Sequence, residues 1–347
     1  MKFNIAIVGA TGAVGEALID ILASRDFPVA KLDLLASARS AGEALTFGKK
    51  EIEVTLLDDY DFAGTHMAFF SAGSAISAEF APKAAAAGCL VIDNTSKFRY
   101  DDDVPLVVPE VNGDLLEAPI PGRIIANPNC STIQLVVALA PLHRAARITR
   151  IIVATYQSVS GAGRKGVTEL ARQTTSLLAG TPVDEEDAPF VQADQIAFNV
   201  VPQIDRFDED GMTFEEVKMI RETRKILRAP ELAVNPTCVR VPVFYGHSEA
   251  VTIETERPLS ANEARRLLRE SPGIEVLDRE QRQGYPTAVR CATGTDGVYV
   301  GRIRKDPSHE HGLNLWVVSD NLRKGAALNS IQIAEHLIAQ WTHESSD

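Results

Sequence analysis

A chain of 347 residues is long enough for two domains, and its 45 % hydrophobic and 24 % charged residues are the balance of a globular protein with a sizeable core. A net charge of −12 and a pI near 5.2 argue against a nucleic-acid or anionic-membrane surface, yet leave room for a local cationic pocket that takes a small anion. The four cysteines, Cys89, Cys130, Cys238 and Cys291, are far apart and form no C-x-x-C pair. That suits a reducing compartment and gives no metal pattern.

No apolar run approaches the ~18 residues of a membrane-spanning helix. The start, "MKFNIAIVGA", lacks a signal-peptide core and cleavage site, so the cytoplasm is the expected location. Over the first ~125 residues short apolar runs alternate with helical segments. "FNIAIVG" reads as a buried strand. "AVGEALIDILASR" reads as a helix with Val14, Leu18, Ile21 and Leu22 on one face. "KLDLLAS", "HMAFFSAG" and "GCLVIDNTS" are further strands, and "SAEFAPKAAAAG" is helical between two of them. Strands alternating with helices predict βαβ units and a mostly parallel sheet.

The middle of the chain differs. "RIIVATYQSVSGAG" is a long β-branched run, and "GVTELARQTTSLLAG" and "FEEVKMIRETRKILRA" read as helices. The acidic, proline-containing stretch 181–195 is expected on the surface. "NPTCVRVPVFYGHSEAVTIETE" reads as a hairpin or strand pair turning near Gly246, and "GVYVGRIRK" and "GLNLWVVSD" as later strands. These predict an α+β domain with a mixed or antiparallel sheet. A last helix near 325–343, with Ala327, Ile331, Ala334 and Ile338 on one face, could return to the first domain. The expected fold is therefore α/β: a Rossmann-like dinucleotide-binding domain over 1–127 plus 325–347, and an α+β catalytic and dimerisation domain over 128–324.

"IVGATGAVG" places Gly9, Gly12 and Gly15 after a strand and at the opening of a helix. Glycines there let the chain turn tightly and let phosphate reach backbone N–H groups. An acid for the ribose 2′-OH would normally end the second strand. Here "LLASARSAG" puts Ser37, Arg39 and Ser40 at that position, which would suit a 2′-phosphate and predicts NADP over NAD. A solvated surface arginine is the plainer alternative.

Asn129-Cys130-Ser131-Thr132 precedes the helical "TIQLVVALAPLH". A thiol at a helix start is favoured as thiolate and can attack a carbonyl, with the Asn129 amide near the oxyanion. A lone cysteine is by default structural, and Cys89, Cys238 and Cys291, in apolar or strand-like contexts, are read as buried packing. In "RVPVFYGHSE", His247 could carry a proton, or simply be satisfied at a strand end. Arg240, in a strand-like run, needs an anion: a substrate carboxylate or an internal salt bridge. Arg99, after "NTSKF", and Lys218, three residues beyond Glu215 on one helix face, could hold phosphate, while Glu215 could pair with an ammonium. An exposed helix ion pair is the alternative for the last two.

With these residues in view, the chain resembles the aspartate-semialdehyde dehydrogenase family over essentially its whole length. "GATGAVG", "ASARSAG", "NTSKFR", "NPNCST", "YQSVSGAG", "EEVKM", "RVPVFYGHSE" and "SDNLRKGAALN" are similar to that family's motifs, in the same order. The resemblance implies Cys130 as nucleophile, His247 as acid/base, and Gln157 and Asn129 beside them. It implies Arg240 for the substrate α-carboxylate, Glu215 for the α-amino group, and Arg99 and Lys218 for phosphate. NADP would meet Gly9, Thr11, Gly12, Ala13, Val14, Ser37, Arg39 and Ser40, with Ser160, Gly161 and Asn321. The implied partners are small molecules, namely aspartyl phosphate, aspartate semialdehyde and phosphate, together with a second copy in a homodimer. Neither nucleic acid nor membrane is implied. Related reductases of N-acetylglutamyl phosphate or glyceraldehyde-3-phosphate would share the thiol chemistry. Glu215 argues against an N-acetylated substrate, which has no ammonium to pair. A non-catalytic NADP-binding sensor would leave the thiol and imidazole idle.

Overall fold

The computed structural model describes residues 1–181, 195–279 and 283–344, with side chains through 341. Most of the acidic stretch expected on the surface, residues 182–194, therefore lies outside the described residues. The strands are β1 (Phe3–Val8), β2 (Val29–Ala36), β3 (Ala44–Phe47), β4 (Lys50–Leu56), β5 (Met67–Phe70), β6 (Leu90–Asp93), β7 (Ile124–Ala126), β8 (Ile148–Gln157), β9 (Ala233–Arg240), β10 (His247–Thr255), β11 (Ile274–Val276), β12 (Val298–Lys305) and β13 (Gly312–Ser319). The α-helices are α1 (Ala13–Ser24), α2 (Ser74–Ala86), α3 (Pro109–Asn112), α4 (Cys130–Ala146), α5 (Arg164–Leu178), α6 (Phe214–Ile226), α7 (Ala261–Arg269) and α8 (Leu328–Glu344). The chain divides into two compact units, Met1–Asn129 with Ala326–Asp347, and Cys130–Gly325.

The first unit holds a sheet in the order β3-β4-β2-β1-β5-β6-β7. All its pairings are parallel except the edge hairpin β3–β4. Parallel strands covered by helices are buried on both faces, so β1, β5 and β6 are near-continuous apolar runs with no polar alternation. Leu18, Ile21 and Leu22 of α1 and Ile331, Ala334 and Leu337 of α8 join one core cluster with Ile5, Ile7, Phe69 and Ile92. The terminal helix thus packs with α1 within this unit, and each fully buried leucine contributes about 1.5–3 kcal/mol.

The second unit holds a six-stranded mixed sheet, β11-β12-β13-β10-β8-β9. Both strands expected over 235–256 are present, but the structure corrects their pairing as a hairpin or strand pair. β9 and β10 do not pair, because β8 lies between them, parallel to β9 and antiparallel to β10. The linking residues instead bond to the end of β8 and to the short 3-10 turn beyond it. Val241 N–H donates to Gln157 O at 3.0 Å, Val159 N–H to Val243 O at 2.9 Å and Ser160 N–H to Phe244 O at 3.1 Å. Pro242 lacks the N–H that a continuing ladder would use. A second correction concerns Cys291. Cys89 and Cys238 are buried, but Cys291 is only half-buried, on a short π-helical turn (Ala288–Ala292).

Candidate active site

In the first unit, the turn after β1 is built of backbone. Gly9 has φ +89°, a conformation side chains avoid, and a Cβ there would lie 2.9 Å from Ala72 N. A Cβ at Gly15 would lie 2.3 Å from Gly9 O, so the helix can approach the turn only as glycine. Gly12 is the N-cap of α1 and offers no side-chain capping bond, which leaves first-turn N–H groups open to an anion. Thr11, Ala13 and Val14 line the same turn. At the end of β2, Ser37 and Arg39 are exposed and Ser40 is buried. No acid among the described residues pairs with Arg39. In the same unit, buried Arg99 donates from Nη2 to Asn94 O at 2.8 Å. Asn94 Oδ1 in turn accepts from Asn127 Nδ2 at 3.0 Å and from the Ser330 hydroxyl at 2.9 Å, and Asn329 Nδ2 donates to Asn127 Oδ1 at 2.7 Å. This amide network anchors the segment that ends in buried Asn129.

In the second unit, sheet register does the assembling. Gln157 ends β8, Arg240 ends β9 directly opposite it, and His247 opens β10. Cys130 is the first residue of α4, where the helix dipole favours a thiolate. Its Sγ lies 3.3 Å from His247 Nε2. His247 is fully buried, and Ser158 N–H donates to its Nδ1 at 3.1 Å. A ring nitrogen that accepts a backbone N–H carries no proton, so the neutral ring holds its proton at Nε2, facing the sulfur. Burial, and then the Arg240 charge, push the His247 pKa well below the ordinary histidine value; a backbone contact at Gly246 opposes this.

Arg240 is buried and donates from Nη1 to Ser158 O at 2.8 Å. No carboxylate among the described residues forms an ion pair with it. Burial weakens its charge, while Glu215 and Cys130 support it from further off. Glu215 is buried, accepts from Gln157 Nε2 at 3.1 Å, and takes Lys218 Nζ at 3.2 Å. Lys218 also reaches Asp205 at 3.0 Å. Burial opposes its charge, but Glu215 and Asp205 outweigh that and raise its pKa. So Glu215 and Lys218 form a partly buried pair rather than an exposed helix pair.

Ser160 and Asn321 bond one another, with Asn321 Nδ2 to Ser160 Oγ at 3.0 Å. Asn321 Oδ1 accepts from Gly246 N–H at 2.9 Å and from the Ser158 hydroxyl at 3.0 Å. A Cβ at Gly161 would sit 2.8 Å from Arg240 Nη1 and 3.3 Å from His247 Nε2. Sequence reasoning missed Ser158, Asp205 and Gly325, whose added Cβ would lie 3.0 Å from Cys130 Cβ. "YQSVSGAG" and "SDNLRKGAALN" marked the right segments for two of these, but nothing in the sequence marks Asp205. Among the described residues no cluster of His, Cys, Asp and Glu could hold a metal, and no helix is long and apolar enough to cross a membrane.

A glycine turn on a parallel sheet in one unit, and in the other a thiol against an imidazole with a buried guanidinium in the same sheet row, fit a dehydrogenase of a nicotinamide dinucleotide. The family described as "Semialdehyde dehydrogenase, NAD binding domain" matches residues 4–118, and "Semialdehyde dehydrogenase, dimerisation domain" matches 139–324. The aspartate-semialdehyde dehydrogenase of Shewanella violacea is 57 % identical, over 98 % of this chain and 99 % of its own. Aspartate semialdehyde dehydrogenase II of Vibrio cholerae, solved in complex with ASA, superposes with a TM-score of 0.94 at 54 % identity, covering 98 % of this chain and 99 % of that one. The Candida albicans enzyme, solved with NADP, gives 0.75 at 28 % identity, covering 98 % and 99 %. The chain belongs to the aspartate-semialdehyde dehydrogenase family.

Proposed function

We propose that this chain interconverts L-4-aspartyl phosphate and NADPH with L-aspartate-4-semialdehyde, phosphate and NADP⁺, a step toward lysine, threonine, methionine and isoleucine. The observation that carries the reading is the 3.3 Å approach of the Cys130 thiol to the Nε2–H of His247, beside Arg240, Gln157 and Glu215. The relatives named above support it by their own activity and ligands.

The bare glycine turn and the uncapped start of α1 fit a dinucleotide phosphate. Gly9, Thr11, Gly12, Ala13 and Val14 would hold that end. Ser37, Arg39 and Ser40 would favour the 2′-phosphate of NADP, and the family resemblance adds Ser160, Gly161 and Asn321. When bound, the cofactor supplies or removes the hydride at the acyl carbon.

The chain's own residues do the rest. The Cys130 thiolate attacks the acyl carbon of aspartyl phosphate, the C–O bond to phosphate breaks, and a thioester remains. His247 keeps its proton at Nε2 and lends it to the substrate oxygen while negative charge resides there, taking it back as the carbonyl re-forms. The Asn129 amide adds to that stabilisation. Arg240 holds the α-carboxylate, Glu215 the α-ammonium, Gln157 orients the substrate, and Arg99 and Lys218 hold phosphate. We assign the first unit to NADP and the second to catalysis and dimerisation. One face of the second sheet supports a homodimer. Ile152, Tyr156 and Trp316 stand on it half-exposed, with Val289 at 80 % exposure nearby. The cytoplasm fits this chemistry.

The test is a spectrophotometric assay with aspartate semialdehyde, phosphate and NADP⁺, run beside N-acetylglutamate semialdehyde and glyceraldehyde-3-phosphate. Turnover confined to aspartate semialdehyde is expected. Preference for either rival substrate would overturn the reading.

A further inference from the structure

Beneath the thiol and imidazole lies a carboxyl group that the chemistry above does not use. Glu249 is fully buried on β10, two residues past His247 and so on the same face of the sheet. Its row across the sheet reads Cys238 on β9, Thr155 on β8, Glu249, then Val317 on β13. The row above carries Arg240, Gln157, His247 and Ser319. Along the strand the two rows are about 6.8 Å apart. Helix α4 covers this face, with Cys130 at its start and buried Gln134 one turn further on.

Both oxygens of Glu249, and the nitrogen and oxygen of the Gln134 amide, are buried without a hydrogen-bond partner of good geometry. The two groups are nevertheless close enough that the amide favours the carboxylate, against a larger cost of burial that raises the Glu249 pKa well above the ordinary value. Titratable groups on this face include Cys238 in its own row and His247 and Arg240 in the row above, with Cys130 at the start of α4; Glu215, Glu216 and Glu249 all act on Cys238. No cation is among the groups that shift Glu249. A carboxylate there would lack a counter-ion, whereas a carboxylic acid needs none. The acid offers one O–H donor and one C=O acceptor, and the amide offers an N–H donor and a C=O acceptor. The four orphan atoms therefore match two for two, directly or through one buried water.

We propose that Glu249 works as an uncharged carboxylic acid paired with Gln134, a positioning residue that ties the first turn of α4 to β10 and so holds Cys130 against His247. This rests on the catalytic reading of that pair. Ionising Glu249 breaks the match, because the amide oxygen then faces a negative charge, and the thiol loses its register with the imidazole.

Two measurements on the full-length protein need no substrate. Infrared spectra at neutral pH are expected to show a protonated carboxyl C=O band that disappears in Glu249→Gln. Glu249→Gln keeps an uncharged hydrogen-bonding partner, and is expected to raise Tm at pH 8 while leaving it unchanged near pH 4. The sign comes from linkage: the unfolded glutamate ionises near 4.3, the native one later, so the wild type loses stability as pH rises between the two. A third measurement reads function. Gln134→Leu is expected to slow iodoacetamide alkylation of Cys130, and kcat, by about ten- to a hundredfold with KM little changed. Glu249→Gln should keep both near wild type and lose the alkaline fall in rate. Absence of the acid band, or an unaltered pH–stability curve in Glu249→Gln, overturns the proposal. If the substrate assay fails while the band, the Tm shift and the alkylation effect are present, the proposed reaction falls and this pairing stands.

Discussion

The two units build their surfaces from different materials. In the first, the turn proposed for the cofactor is mostly backbone: a positive-φ glycine, a glycine N-cap and the open N–H groups of α1, all within seven residues. In the second, the groups proposed to react are side chains drawn from α4, β8, α6, β9 and β10, and the thiol and imidazole are 117 residues apart in sequence. A backbone site is read from local spacing and is broken by adding atoms. A side-chain site depends on sheet register and is broken by removing them.

The largest effect should come from removing an atom in the second unit. Cys130→Ala is expected to lower kcat by at least about a thousandfold, with NADPH affinity, read by fluorescence titration, little changed. Retained turnover would make the thiol a bystander. Next is Arg240→Leu. It removes a buried guanidinium that forms no ion pair among the described residues, so kcat/KM for the amino-acid substrate should fall about a hundredfold. Unchanged steady-state kinetics would return Arg240 to a structural role through Ser158.

Glycine substitutions invert the comparison. Gly15→Ala would drive a Cβ to 2.3 Å from Gly9 O, a backbone atom that cannot swing away. The expected loss is about 2–4 kcal/mol of stability, seen by denaturant titration. Gly161→Ala meets the movable end of Arg240 at 2.8 Å instead. Stability should change little and kcat/KM should fall about tenfold. Equal stability losses in the two variants would erase the distinction drawn between the units.

The pH profile gives a sign for the second unit. Burial and Arg240 hold His247 neutral well below its ordinary pKa. The acid limb of kcat/KM should therefore lie below about 6.5. The unfolded histidine takes its proton first as pH falls, so stability is lost as pH drops below that value. An acid limb above it would mean that the charged form is the one favoured in the folded site.

What was legible in the sequence divides the same way. The βαβ order, the glycine turn, the start of α4 at Cys130 and the α8 core positions were all readable, because each rests on periodicity or on neighbours within a turn or two. The sequence suggests that β9 pairs with β10, but periodicity does not encode which strand inserts, and β8, about eighty residues upstream of β9, lies between them. The tautomer set by Ser158 N–H, the second acid at Asp205 and the close pass of Gly325 beside Cys130 are consequences of packing alone. Cys291 was expected in the core because its flanks are apolar; the short π-turn that carries it leaves it half-exposed.

The smallest effect concerns the one charged side chain assigned to the backbone-built site. Arg39 is exposed in the turn after β2, where no acid ends the strand. An exposed guanidinium in water is screened, so its attraction for a phosphate is modest unless the geometry is bidentate. Arg39→Ala should therefore cost about tenfold in kcat/KM with NADPH and almost nothing with NADH. The ratio of the two isolates the 2′-phosphate from every contact the cofactors share. Equal losses with both would place Arg39 on the common pyrophosphate, and no loss with either would leave it a solvated surface charge.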